Sequence, residues 1–340
     1  MSTRSVSAGR GVCWAAVLWA AFSLASAQPQ PGSQAPKSAV PVGAVAVVLN
    51  SGEGTVSLID KATRKETARV PIGKEPHHLM TTPDGRELIV ANAVSNDLVF
   101  LDPVSGKVLR RLDRISNPYH IGFSPDRRWF VTASLRLSQT DIYDASTFKL
   151  VKRFSNPKAP SHMAFNADSS LVFITLQDSN EVVAIDLNKQ EIAWKLRVGP
   201  TPAGIWMTAD DRHLLVGIMG SDGADVIDWR KRAVVGRIKT GEGAHAFLGM
   251  GDGQRVLITN RVANTISVID QTTLKVLETF PVPGGPDCME LTSDGRELWV
   301  TTRWNRTVTV VDMQTKRILS TIPVGRSPHG LFFANHAPRR

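Results

Sequence analysis

Thr265-Ile266-Ser267-Val268-Ile269-Asp270 alternates apolar and polar residues up to an Asp, and a turn then leads into Lys275-Val276-Leu277-Glu278-Thr279-Phe280. After a Gly- and Pro-containing loop comes another strand-like run. A tight Asp294-Gly295-Arg296 turn and the β-rich Glu297-Leu298-Trp299-Val300-Thr301 follow. Alternation at period two, bounded by turn residues, is the mark of half-buried strands. Working outward, the same unit recurs every 42 residues without insertion or deletion, pinned by Asp60, Asp102, Asp144, Asp186, Asp228, Asp270 and Asp312. A second column, Asp84, Asp126, Asp168, Asp210, Asp252 and Asp294, keeps the period. Asp at such turns accepts backbone hydrogen bonds, so both columns read as structural.

Four short strands per unit, repeated seven times, predict an all-β, seven-bladed β-propeller with four antiparallel strands per blade. The last inner strand, Gly330-Leu331-Phe332-Phe333, has nothing after it to pair with. Residues 44–50, 55–60 and 65–71 have no inner strand before them, so the ring is expected to close one C-terminal strand against three N-terminal ones. The columns Leu79, Ile121, Met163, Ile205, Phe247, Met289, Leu331 and Ile89, Val131, Phe173, Leu215, Leu257, Trp299 are the expected core.

Upstream of the repeats, residues 1–10 hold two Arg and no acid, an apolar stretch follows, and Ala25-Ser26-Ala27 supplies small residues before a cut. This reads as a secretion signal over 1–27, then a Pro/Gln/Ser-rich leader over 28–43 and a single propeller domain over 44–338. The apolar stretch is shorter than the roughly 20 residues of a membrane span, and no later one approaches that length. The expected location is periplasmic or secreted. Removal of Cys13 with the signal leaves Cys288 as the one thiol, so no internal disulfide forms, and a monomer is expected. The composition, 42% apolar and 21% charged, is that of an ordered globular chain. The net charge of +9 is scattered rather than clustered with aromatics, so there is no specific nucleic-acid signal.

The motifs Val268-Ile269-Asp270, Val324-Gly325-Arg326-Ser327-Pro328, Ser293-Asp294-Gly295 and Leu257-Ile258-Thr259-Asn260 resemble the repeats of the YVTN family of secreted β-propellers across all seven units. That family is similar in turn to the haem-binding propeller of cytochrome-type nitrite reductases, and more distantly to copper-carrying seven-bladed enzymes such as nitrous oxide reductase. The resemblance implies secretion and a ligand or partner surface, and no single chemistry.

Six of the eight His fall in two adjacent columns of the repeat, against about 0.4 by chance. They sit one and two residues after the Pro that opens the inner strand, where seven blades converge on the central channel. The first column is His77, Tyr119, Ser161, Ala203, His245, Asp287, His329. The second is His78, His120, His162, Gly204, Ala246, Cys288, Gly330. Imidazole and thiol together suit copper, zinc or an axial contact to a haem-type tetrapyrrole, with His77, His78, His120, His162 and Cys288 as the candidate ligands. The alternative is a polar channel lining whose His bond loop carbonyls and whose Cys288 is an inert small residue. Arg136, Arg261, Arg303 and Trp304, on the loop of the same face, join His245 and His329 as a candidate receptor for an anionic ligand. Glu290 is either a base deeper in the channel or half of an ion pair.

Two functions remain open on this reading. The first is a non-catalytic binding or scaffold propeller presenting its His-rich mouth to an anionic small ligand or a periplasmic protein. The second is a redox or cofactor-handling protein with metal or haem at the His cluster. No nucleophile elbow, zinc-protease helix or Cys-x-x-Cys is present, and a lyase or lactonase lacks a positioned acid and metal.

Overall fold

The computed structural model describes residues 41–155 and 158–338. The secretion signal and all but the last three residues of the leader lie outside this range. Among the described residues every regular element is a strand: twenty-eight of them, β1 (Val45–Asn50) to β28 (Pro328–Phe332), form seven four-stranded antiparallel sheets. Among the described residues no helix is long and apolar enough to cross a membrane. The innermost strands are β4 (Pro76–Thr81), β8 (His120–Phe123), β12 (Pro160–Phe165), β16 (Pro202–Met207), β20 (Ala244–Gly249), β24 (Pro286–Leu291) and β28.

The seam is closed as the sequence predicts. In one sheet β28 pairs with β1, followed by β2 (Thr55–Asp60) and β3 (Lys65–Pro71). Leu331 lies opposite Val48, so the last inner strand is not left without a partner.

Each sheet buries both faces against its neighbours, so the core is a ring of inter-blade clusters. Leu215 and Val226 of one blade, for example, pack with Val256 and Ile258 of the next. The column Ile89, Val131, Phe173, Leu215, Leu257, Trp299 is fully buried at the middle of this packing.

The first Asp column explains the turns. Asp144 Oδ1 accepts the Thr147 backbone N–H at 2.9 Å and the Ser146 and Thr147 hydroxyls at 2.7 and 2.8 Å. It steadies a turn whose fifth residue, Phe148, takes a left-handed φ of 53°. The same position in other blades is Arg64, Gln190, Arg232, Leu274 or Lys316, and is Gly only at Gly106. The Asp side chain thus holds an ordinary L-residue in a conformation that Gly would adopt more easily.

Two predictions follow from this architecture. Deleting residues 328–340 removes the buried Leu331, Phe332 and Phe333. The expected loss is roughly 5 kcal/mol or more at ~1.5–3 kcal/mol per side chain, together with strand-edge association, read by thermal melting and size-exclusion chromatography. An unchanged melt and elution volume would refute the closure. The turn hydrogen bonds also lower the Asp144 carboxyl from 3.8 to about 2, and lower Asp60, Asp102, Asp270 and Asp312 as well. Depressed carboxyls stabilise the fold fully above their unfolded pKa and cease to do so as pH falls through the folded value. Stability should therefore decline between about pH 4 and pH 2, and denaturant melts of Asp144→Asn should show a smaller decline than the parent.

Candidate functional site

The site begins with one extra residue. Pro160 lies opposite Leu176 and Met163 opposite Ile174, so Ser161 and His162 together face the single Thr175. The same shift recurs where β16, β20, β24 and β28 meet their neighbours. In a regular strand adjacent side chains point to opposite faces; a bulge re-aims one of them. The freed backbone donor is satisfied by the facing Thr: His162 N to Thr175 Oγ1 at 3.1 Å, Ala246 N to Thr259 at 3.0 Å, Cys288 N to Thr301 at 3.0 Å. Both His columns therefore converge on the axis, as two stacked layers.

The first layer is closed. His77, Ser161, Ala203, His245, Asp287 and His329 are each 2% exposed or less. The sequence reading pictured an open mouth lined by these side chains; they fill it instead, because imidazole rings stack. His77 lies 3.7 Å from the Tyr119 ring and 3.8 Å from that of His329, centroid to centroid.

At the centre of this layer sits Asp287. Arg261 donates to its Oδ2, Arg303 Nη1 lies 3.5 Å from the same oxygen, and His245 Nδ1 lies 3.2 Å and His329 Nε2 3.6 Å from Oδ1. The two arginines expected to bind an external anion thus grip the protein's own carboxylate. Arg136 does not join them. In the repeat it stands one residue beyond the Arg261 and Arg303 column, in that of Trp304, and pairs with Glu75 at 2.5 Å. Trp304 is 56% exposed and lies over the Gly285 backbone.

The second layer opens into a cavity of about 370 Å³. His78, His120, His162 and Cys288 line one end, with Gly204, Ala246 and Gly330 completing the ring. The small residues are required by close approach: a Cβ on Gly204 would fall 1.8 Å from the His245 carbonyl oxygen. The cavity continues along the inner strands past Ile121, Ile205 and Leu331 to Phe123, Phe165 and Met207. Met80, Met163 and Met289 also line it. Glu290 does not; its charge acts on the Lys61 ammonium, whose pKa burial lowers.

Ligand atoms of His78, His120 and His162 lie within 4.8 Å of one another. So do those of Asp287, Cys288 and His329, and those of His77, His78 and His329. His78 Nδ1 lies 3.2 Å from the Tyr119 carbonyl oxygen, to which it donates, leaving Nε2 as the nitrogen able to hold a metal. The His162 ring is tied by Ser161 Oγ at 2.5 Å, itself held by Gln177 at 2.8 Å. His120 Nδ1 is buried and has no hydrogen-bond partner among the described residues.

Burial keeps the imidazoles neutral. It lowers His78 and His245 to about 4 and takes His77, His120, His162 and His329 well below their ordinary range. Burial also raises the Cys288 thiol well above 9.0. It opposes ionisation of Asp287, but the neighbouring groups, the Arg261 guanidinium foremost, together override it and hold that carboxyl well below 3.8. At neutral pH the cluster therefore carries one carboxylate against two guanidinium groups. Asp287 is the residue that sequence reasoning passed over. Its signal was an acid in a His column one blade from an Arg pair spaced by the repeat.

Asp287→Asn should cost about 3–5 kcal/mol, since it strands the buried Arg261 charge. Adding Arg261→Met should recover most of the loss. Equal melting temperatures for parent and single variant would show that this ion pair does not hold the layer.

Comparison with known proteins places this geometry. No curated protein matches the sequence. Among solved structures, a functionally unknown protein from Desulfotomaculum acetoxidans DSM 771 is 14% identical with a TM-score of 0.74, covering 86% of this chain and 99% of that one. Dihydro-heme d1 dehydrogenase NirN, solved in complex with DHE, is 18% identical with a TM-score of 0.65, over 88% of this chain and 77% of that one. Kuenenia stuttgartiensis hydrazine synthase is 17% identical with a TM-score of 0.66, over 77% and 92%. At such identities the likeness is one of fold. A family model matches residues 4–339, and with all seven blades in place the chain belongs to the YNCE-like beta-propeller family.

Proposed function

We propose that this propeller is a metal-binding protein working outside the cytoplasm, with a soft transition metal, copper(I) foremost, held by His78, His120 and His162 at the closed end of the central cavity. The observation that carries the reading is the convergence of three imidazoles, their ligand atoms within 4.8 Å of one another, facing a cavity and not the loop surface. Donors no more than 4.8 Å apart need move inward by less than about 1 Å each to reach bonds of ~2.0 Å.

Charge selects the metal. The triad offers three neutral donors and no anion, so a monovalent ion brings the least uncompensated charge into a desolvated site. The soft thioethers of Met80, Met163 and Met289 along the same cavity favour copper(I) over harder ions. Location outside the cytoplasm rests on the signal-like residues 1–27. The closed first layer is why a metal ion is preferred here over a partner docking on an open His mouth. The cavity-facing donors are why it is preferred over a tetrapyrrole seated on the loop face.

Replacing His78, His120 and His162 together by Ala should weaken copper(I) binding by at least 100-fold in a chelator-competition titration, with the melting temperature retained. Because His78 already sits near 4, affinity should hold down to about pH 5.5 and fall only towards pH 4, since protons compete for the same nitrogens. Equal affinity in the triple variant would overturn the assignment.

A further inference from the structure

We propose that Asp287, Cys288 and His329 form a second metal site behind the histidine triad, suited to a divalent borderline cation of the zinc class. It shares no residue with His78, His120 and His162, so the two sites stand or fall separately.

The argument starts from one hydrogen bond. His329 Nδ1 lies 2.8 Å from the His77 carbonyl oxygen, which can only accept, so Nδ1 carries the proton and donates it. In the neutral ring Nε2 is then a bare acceptor. It is fully buried, has no hydrogen-bond partner among the described residues, and points at Asp287 Oδ1, 3.6 Å away. Two acceptors facing each other across a buried gap repel unless a cation lies between them.

A second proton on His329 would fill the gap without engaging the Cys288 thiol, which lies beside both residues. A metal ion fills it with ligands present. Cys288 Sγ lies 4.0 Å from Asp287 Oδ1 and 3.5 Å from His329 Nδ1, the nitrogen bonded to the His77 carbonyl, so the thiol sits against the same ring; one ligand atom from each of the three residues falls within a common 4.8 Å.

The donor set also sets the charge. Coordination displaces the Cys288 proton to solvent, so a dication meets one thiolate and one carboxylate, and binding adds a single net positive charge to the cluster. Carboxylate oxygen, thiolate sulfur and imidazole nitrogen are the donors zinc accepts in tetrahedral sites, with the fourth position open to water or to His245. The carbonyl of His77 on His329 and the guanidinium of Arg261 on Asp287 are the outer contacts that orient such ligands.

The test uses cobalt(II) as a visible stand-in for zinc, added to the metal-stripped full chain. One equivalent should produce a thiolate-to-metal charge-transfer absorption, and zinc binding should release about one proton from the thiol, read by calorimetry in buffers of different ionisation enthalpy. Both signals should persist in the His78, His120, His162 triple Ala variant. Both should disappear in Cys288→Ser, with zinc affinity down at least 100-fold. In the parent, stoichiometric zinc should also protect Cys288 from alkylation, a readout that needs no variant. No charge-transfer band in the parent, a band that survives Cys288→Ser, or signals lost in the triple variant while its fold is intact would each overturn the second site.

Discussion

The centre of this molecule depends on a single inserted residue per inner strand. Without the bulge after the entry Pro, one member of each adjacent pair, His77 with His78 or Ser161 with His162, would point into the blade interface among packed apolar side chains. Where it occurs, both members of the pair face the axis, and Thr175, Thr259 and Thr301 each take up a backbone donor that the irregularity would otherwise strand. The rigid inter-blade packing fixes those seven strands, so donor positions are set by the scaffold and not by flexible loops.

The two layers divide the electrostatic work. The outer layer is a packed plug in which a buried carboxylate is matched by Arg261 and Arg303 and flanked by two imidazoles. The inner layer is uncharged and opens onto an apolar space. A charge introduced into either layer has little water to screen it, so each layer discriminates among ions by what its own donors compensate. Neutral imidazoles on one side and a thiol and carboxylate on the other thereby offer two unlike environments only a ring's width apart, His78 and His329 being 5.3 Å between centroids.

The fold was legible because a fixed period writes the same physics seven times: one Asp column or one Pro column is a weak signal, and seven in register are not. The convergence of the histidines was legible for the same reason. What the period could not show was how full the mouth is. Ring stacking of His77 on Tyr119 and the reach of Arg261 to Asp287 depend on rotamers and on the radius of the channel, which no spacing encodes. Arg136 illustrates the limit at finer grain: a one-residue offset from the Arg261 and Arg303 column sends it outward to Glu75. Two of the cavity methionines, Met163 and Met289, were hidden in a column that read simply as core.

The hydrogen bond from His329 to the His77 carbonyl joins residues 252 positions apart, linking β28 of the closing blade to β4 of the blade beside it. His77 lies on the inner strand of one blade and His329 on the inner strand that closes the ring, so the outer layer forms only once the ring has closed. Before closure its side chains sit on separate strands that nothing holds together. The stacking and ion pairing of that layer thereby report on closure of the whole ring, a coupling that comes from topology alone.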